Sequence, residues 1–268
     1  MNLGKWMTVF LFTISGALWS AVQSVEATPN LVAVKILALT NEARKQQGLK
    51  PLLLDAALCQ VAQRHCSEMD ALGYFGHRSP TPGSQSLTER YHRQGLFCLT
   101  SAENLGRLEG YPESEVAKHV VQDWLSSSSH RKNLLSSKYN HVGIACAQVG
   151  ERYTVTQDFA FLPMRLLASE VARSGSTIKL SMHCRILEGA KAGAVFCSGK
   201  KLAEWTADEL GDFAVSVTVP REDTLSFAQR APDGGFAIET EVPTRLLPSG
   251  HSAASDPTDQ GPRYPFDP

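Results

Sequence analysis

The chain has 268 residues, a formal net charge of -1, 43% hydrophobic and 20% charged residues. That is an ordinary globular balance, with length for one or two domains of real core. It excludes the clustered basic face of a nucleic-acid binder and any acidic or basic tail.

Residues 1–27 read as a secretory signal peptide. A short positive segment ends at Lys5, an apolar run covers 6–21, and Val25-Glu26-Ala27 is a small-residue cleavage site. The competing reading is a membrane anchor. The run falls short of the ~20 residues a spanning helix needs, and Ser15, Gly16 and Ser20 interrupt it. The sequence holds no second candidate span, so the expected destination is secreted or periplasmic.

Asn30 is positioned to cap a helix over 31–47, with Val32, Ile36, Leu39 and Ala43 as its apolar stripe. Asp55 caps a second helix running to Leu72, stopped by Gly73, with Cys59, Ala62, Cys66 and Met69 in its stripe. Shorter helices follow over 86–94 and 112–126. Then the period changes. Residues 141–149 are strand-like, Gly150-Glu151 forms a turn, and Tyr153, Val155, Gln157, Phe159 and Phe161 alternate along one strand face. Helices first and strands after, without βαβ alternation, predict an α+β domain over 30–162.

Beyond Pro163 the pattern is all β. Ile178, Leu180, Met182, Cys184 and Ile186 alternate, as do Phe213, Val215, Val217 and Val219, and then Phe236, Ile238 and Val242. Turns at Ser198-Gly199, Gly211-Asp212 and Asp233-Gly234 separate such runs. This predicts a small Ig-like β-sandwich over 165–247. Residues 248–268 read as a disordered tail.

Six cysteines in an exported chain suggest disulfides. Cys59 and Cys66 cannot pair, because seven helical residues separate them by about 10 Å and a disulfide needs Cα atoms within about 7 Å. Cys98 and Cys146 are the available partners in that half. Cys184 and Cys197 could clip the β-module, stabilising it by about 3 kcal/mol in the chain-entropy model.

Three segments carry candidate chemistry: Tyr74-Phe75-Gly76-His77-Arg78-Ser79-Pro80, Ala102-Glu103-Asn104-Leu105-Gly106, and a run from Trp124 through His130-Arg131-Lys132-Asn133 to Leu135. Each alone reads as surface or capping chemistry. In this order, with Thr156-Gln157-Asp158-Phe159 after them, they resemble the CAP superfamily. Its members include cysteine-rich secretory proteins, antigen 5 proteins and pathogenesis-related 1 proteins. The likeness is to the compact bacterial secreted type and covers roughly half the chain. The resemblance implies an α-β-α sandwich around an antiparallel sheet. It also implies a cleft where His77 and His130 face each other above Glu103 and bind a divalent metal, commonly zinc.

Two neutral imidazoles and a carboxylate would leave zinc an open position for water. Glu103 would then be a ligand and the tentative catalytic group, or would instead orient an imidazole. Ser127 stands where larger family members carry a second acid. Glu89 is the nearest replacement, although Ser86-Leu87-Thr88-Glu89 also fits a capping box. Gln157 interrupts an apolar strand face, and its place in the motif points it toward the cleft. Asn133 ties down the turn after His130. The remaining histidines read as surface or packing residues.

Two functions compete. One is an extracellular binding or effector protein, holding a small ligand, lipid or cell-wall fragment in the cleft and docking through its β-module. The other is a metal-dependent hydrolase of peptide or cell-wall bonds using the same cleft. The sequence carries no activated Ser or Cys nucleophile and no His-Glu-x-x-His helix.

Overall fold

A computed structural model describes residues 30–246 and 251–252. The expected signal peptide and most of the expected disordered tail lie outside the described residues. The exception is His251–Ser252, which forms a two-residue strand.

The first module opens with α1 (Leu31–Gln46), capped by the Asn30 side chain on the Val32 N–H. After β1 (Leu53–Leu54), Asp55 caps α2 (Ala56–Leu72). Gly73 ends that helix at φ 70°, a left-handed conformation that costs glycine little. Then come α3 (Leu87–Arg93), β2 (Ser101–Glu109), α4 (Glu113–Ser126), α5 (Ser128–Leu134), β3 (His141–Val149) and β4 (Arg152–Ala160). The sheet order is β1-β3-β4-β2. It is antiparallel except for the short parallel pairing of β1 with β3.

Period-two alternation sorts the sheet's two faces. Val142, Ile144, Val155 and Phe159 pack with Ile36 of α1, Val120 and Trp124 of α4 and Leu134 of α5. On the other face, Ala145 and Ala160 meet Ala62, Cys66, Leu58 and Tyr91 from α2 and α3. This is the expected α-β-α layering. The approach of α2 is close: a Cβ at Gly143 would lie 2.2 Å from the backbone of Leu58, so only glycine fits there.

The second module comprises β5 (Met164–Ser174), β6 (Thr177–Ile186), β7 (Ala192–Cys197), β8 (Lys200–Thr206), β9 (Asp212–Pro220), β10 (Thr224–Arg230), β11 (Phe236–Pro243) and β12 (His251–Ser252). They form two four-stranded antiparallel sheets, β11-β10-β7-β8 and β12-β5-β6-β9. Both sheets feed one core that includes Ile178, Leu180, Val195, Trp205, Phe213 and Phe227. Trp205 stacks on Phe213, with ring centroids 4.3 Å apart.

The two modules are fastened together. Phe97, from the segment joining α3 to β2, is buried in the β-module core. Arg165 of β5 pairs with Asp55, the residue that caps α2. Glu188 accepts from Asn140 at 2.8 Å and pairs with Lys50 at 3.4 Å.

The disulfide expectation is corrected: all six cysteines are free thiols. Cys66 instead donates to Thr156 Oγ1 at 3.1 Å inside the α2–sheet interface. Burial raises the Cys184 thiol pKa to about 12, so it behaves as a small core hydrophobe.

Candidate functional site

Glu103 is the hub. It sits on β2, is 7% exposed, and faces α2 and α3. Its Oε1 lies 2.8 Å from His77 Nδ1, and its Oε2 accepts from Arg90 at 2.5 Å. Arg90 is buried on α3 and also donates to the His77 carbonyl at 3.1 Å. Burial pushes the Glu103 carboxyl up, but His77 and Arg90 outweigh it and hold the group below the usual carboxylate range. The same hydrogen bond raises the His77 pKa, against its partial burial.

The His77 loop is fixed from beneath by Glu68 of α2. Tyr74 and Ser79 donate to its two oxygens at 2.6 and 2.9 Å, and Thr81 donates as well. These three donors overcome burial and lower the Glu68 pKa. His65, whose side chain is 0% exposed, lies between the two acids. Its Nε2 donates to the Gly76 carbonyl at 3.1 Å and lies 3.7 Å from Glu103 Oε2. This corrects the reading of His65 as mere packing. Its position between Ala62 and Met69 on the inward stripe was the available signal.

His130 comes from the opposite layer, on α5. Its carbonyl accepts from Asn104 at 3.1 Å. Asn133 donates to Asn104 Oδ1 at 2.9 Å and reaches the Glu103 carbonyl at 3.4 Å. Asn133 therefore ties α5 to β2, which sets His130 relative to Glu103. Burial, and then the nearby His77, lower the His130 pKa. An open, shallow groove lies over the site, lined by His77, Arg78, Gln85, Ser86, Leu87 and Glu103.

Other expectations are corrected. Gln157 does not reach the cleft. It is wholly buried on the α1 face and donates to Thr40 Oγ1 at 3.0 Å. Alternation puts its neighbour Asp158 on the cleft face, directly opposite Glu103. Glu89 is not a replacement acid. Its carboxylate accepts from the Ser86 N–H at 2.8 Å, completing the capping box. Ser127 lies at the surface, 3.2 Å from the Ser129 hydroxyl.

Among the described residues, no three His, Cys, Asp or Glu groups converge to hold a metal ion. The chemistry agrees for Glu103: with both oxygens engaged, it orients His77 and is not placed as a ligand. The donors left over are His77 Nε2 and the His130 ring.

An α-β-α domain with this His-Glu-Arg floor defines the class. Residues 37–159 match the CAP family, the cysteine-rich secretory protein family. That segment of the chain is therefore a CAP domain. It is 35% identical over 120 residues to the uncharacterized protein YkwD of Bacillus subtilis (strain 168), covering 45% of this chain and 44% of that one. It is 32% identical over 146 residues to the uncharacterized membrane protein YlbC of the same organism, covering 54% and 37%. The chain thus spans less than half the length of these curated relatives. Among solved structures, an extracellular SCP-domain protein from Bacillus anthracis is 30% identical, with 49% of this chain and 40% of that one covered and a TM-score of 0.42. A cysteine-rich secretory protein from Staphylococcus aureus is 26% identical, with 52% and 40% covered and a TM-score of 0.40.

Proposed function

We propose that this chain is an exported binding protein whose cleft anchors its ligand through a divalent cation held by His77 and His130. One observation carries the reading. Glu103 occupies His77 Nδ1, which fixes the tautomer and leaves Nε2 as the free nitrogen. Arg90 cancels the Glu103 charge, so the floor has little to offer an oxygen-seeking ion such as calcium. Two imidazoles favour the zinc class. Water or a ligand carboxylate would complete the coordination, which suits a small ligand, a lipid or a cell-wall fragment.

Hydrolysis through the same cleft fits less well. A general base must be free to take a proton. Glu103 is closed in by two donors and held in its ionised form. Export rests on the sequence of residues 1–27; no helix among the described residues is long and apolar enough to cross a membrane. The strand order of the second module fits an Ig-like sandwich, which would present a docking surface.

The test is zinc titration of the full mature chain by calorimetry, beside His77→Ala and His130→Ala. We expect one ion per chain in the parent and loss of binding in both variants, with melting temperatures nearly unchanged. Binding retained by either variant would remove that histidine from the site. Binding lost together with most of the stability would make the metal a structural staple.

A further inference from the structure

Asp158 lies directly across the β2–β4 pair from Glu103, and its partner on the other side is Gly143. The residue is 0% exposed. Among the described residues, neither of its carboxyl oxygens receives an N–H or O–H donor. Yet the strand register sets its side chain beside that of Glu103 on the same face of the sheet, where directly opposed Cβ atoms lie about 4.5–5.5 Å apart. Two carboxylates only accept, so this contact is a hydrogen bond only if one of them carries a proton. Glu103 is already served by His77 and Arg90, both of which favour its ionised form. Asp158 has no such support.

We propose that Asp158 is a neutral carboxylic acid whose O–H donates to the Glu103 carboxylate, making it a buried positioning residue for His77. The surroundings agree. Glu103 faces it from β2, Arg90 and Tyr91 from α3, and Cys59 and Cys66 from α2. Arg90 is the one cation of this set, and one of its nitrogens is bonded to Glu103. Burial, and then the Glu103 charge, hold the Asp158 pKa well above the ordinary range. Glu103 thus has three anchors from three elements: His77 in the loop after α2, Arg90 on α3 and Asp158 on β4. The inference rests on the cleft reading for its purpose, but not for its test. Zinc failing to bind would sink that reading and leave the proton on Asp158 intact.

The experiment compares infrared spectra of the full chain and Asp158→Asn at neutral pH. We expect a protonated-carboxyl C=O band, distinct from the carboxylate bands, that vanishes in the variant. Denaturant titrations of Asp158→Asn and Asp158→Ala supply a second measurement. Asn keeps a donor aimed at Glu103, so its folding constant should match or exceed the parent's. Ala removes the donor and should lower that constant by about tenfold or more. An absent acid band would overturn the proposal. So would an Asn variant as weak as the Ala variant, which would make Asp158 an anion paired with the Arg90 Nε. That nitrogen is buried without an acceptor among the described residues.

Discussion

Thr240 of the β-module donates its hydroxyl to the main-chain oxygen of Phe97, 2.5 Å away, across the boundary between the modules. The segment it grips joins α3, which carries Arg90, to β2, which carries Glu103. The Phe97 ring itself is buried among β-module side chains. The two modules should therefore unfold as one unit. Phe97→Ala removes a buried aromatic and is expected to cost about 3–5 kcal/mol. Urea titration followed at Trp124 in the first module and Trp205 in the second should give coincident transitions in the parent chain. Separate transitions there would show that the modules are merely tethered.

Arg90 and Glu103 are 6% and 7% exposed, and their charged atoms meet at 2.5 Å. Removing one partner from such a pair strands a buried charge, at a typical cost of about 3–5 kcal/mol. Arg90→Met and Glu103→Gln are each expected to destabilise on that scale. The double variant strands no charge and should cost well below the sum of the two. Equilibrium denaturation of all four proteins gives the coupling directly. Additive losses would mean that the pair contributes nothing to the floor of the cleft.

The helices of the first module were legible because their caps and stripes agree. Asp55, Ser86 and Gly73 stand where the helix ends fall. The β3–β4 hairpin was legible from alternation around Gly150. Strand β2 was not, because both of its faces depart from a simple apolar pattern. One face carries Glu103 and Arg107 toward α2; the other carries Asn104, bonded to α5, and Gly106, where a Cβ would lie 2.3 Å from Val120. The period of β4 already placed Gln157 with Val155 and Phe159, away from the cleft, and its motif pulled the reading the other way. The triad of His77, Glu103 and His130 was visible as spaced motifs. Arg90, Glu68, His65 and Asp158 were not, since each is a polar residue whose burial depends on contacts made across elements.

His65 gives the acid response a particular sign. Its side chain is fully buried, and desolvation, the largest influence, lowers its pKa despite the neighbouring Glu103 and Glu68 carboxylates. In the unfolded chain the imidazole takes up a proton near pH 6.5. In the folded chain it does so only at lower pH. Below about 6.5 the unfolded state therefore binds more protons, and stability falls as pH drops. The contribution is complete above the unfolded value and is lost as pH falls through the folded one. His65→Gln keeps an amide that can donate to the Gly76 carbonyl but cannot titrate. We expect the parent to lose stability relative to His65→Gln between about pH 6.5 and 5, approaching 1.4 kcal/mol per pH unit at most. Urea titrations of both proteins across that range measure the difference. Parallel curves would show that His65 titrates alike in the folded and unfolded chain, and that its burial between Glu68 and Glu103 costs its charged form nothing.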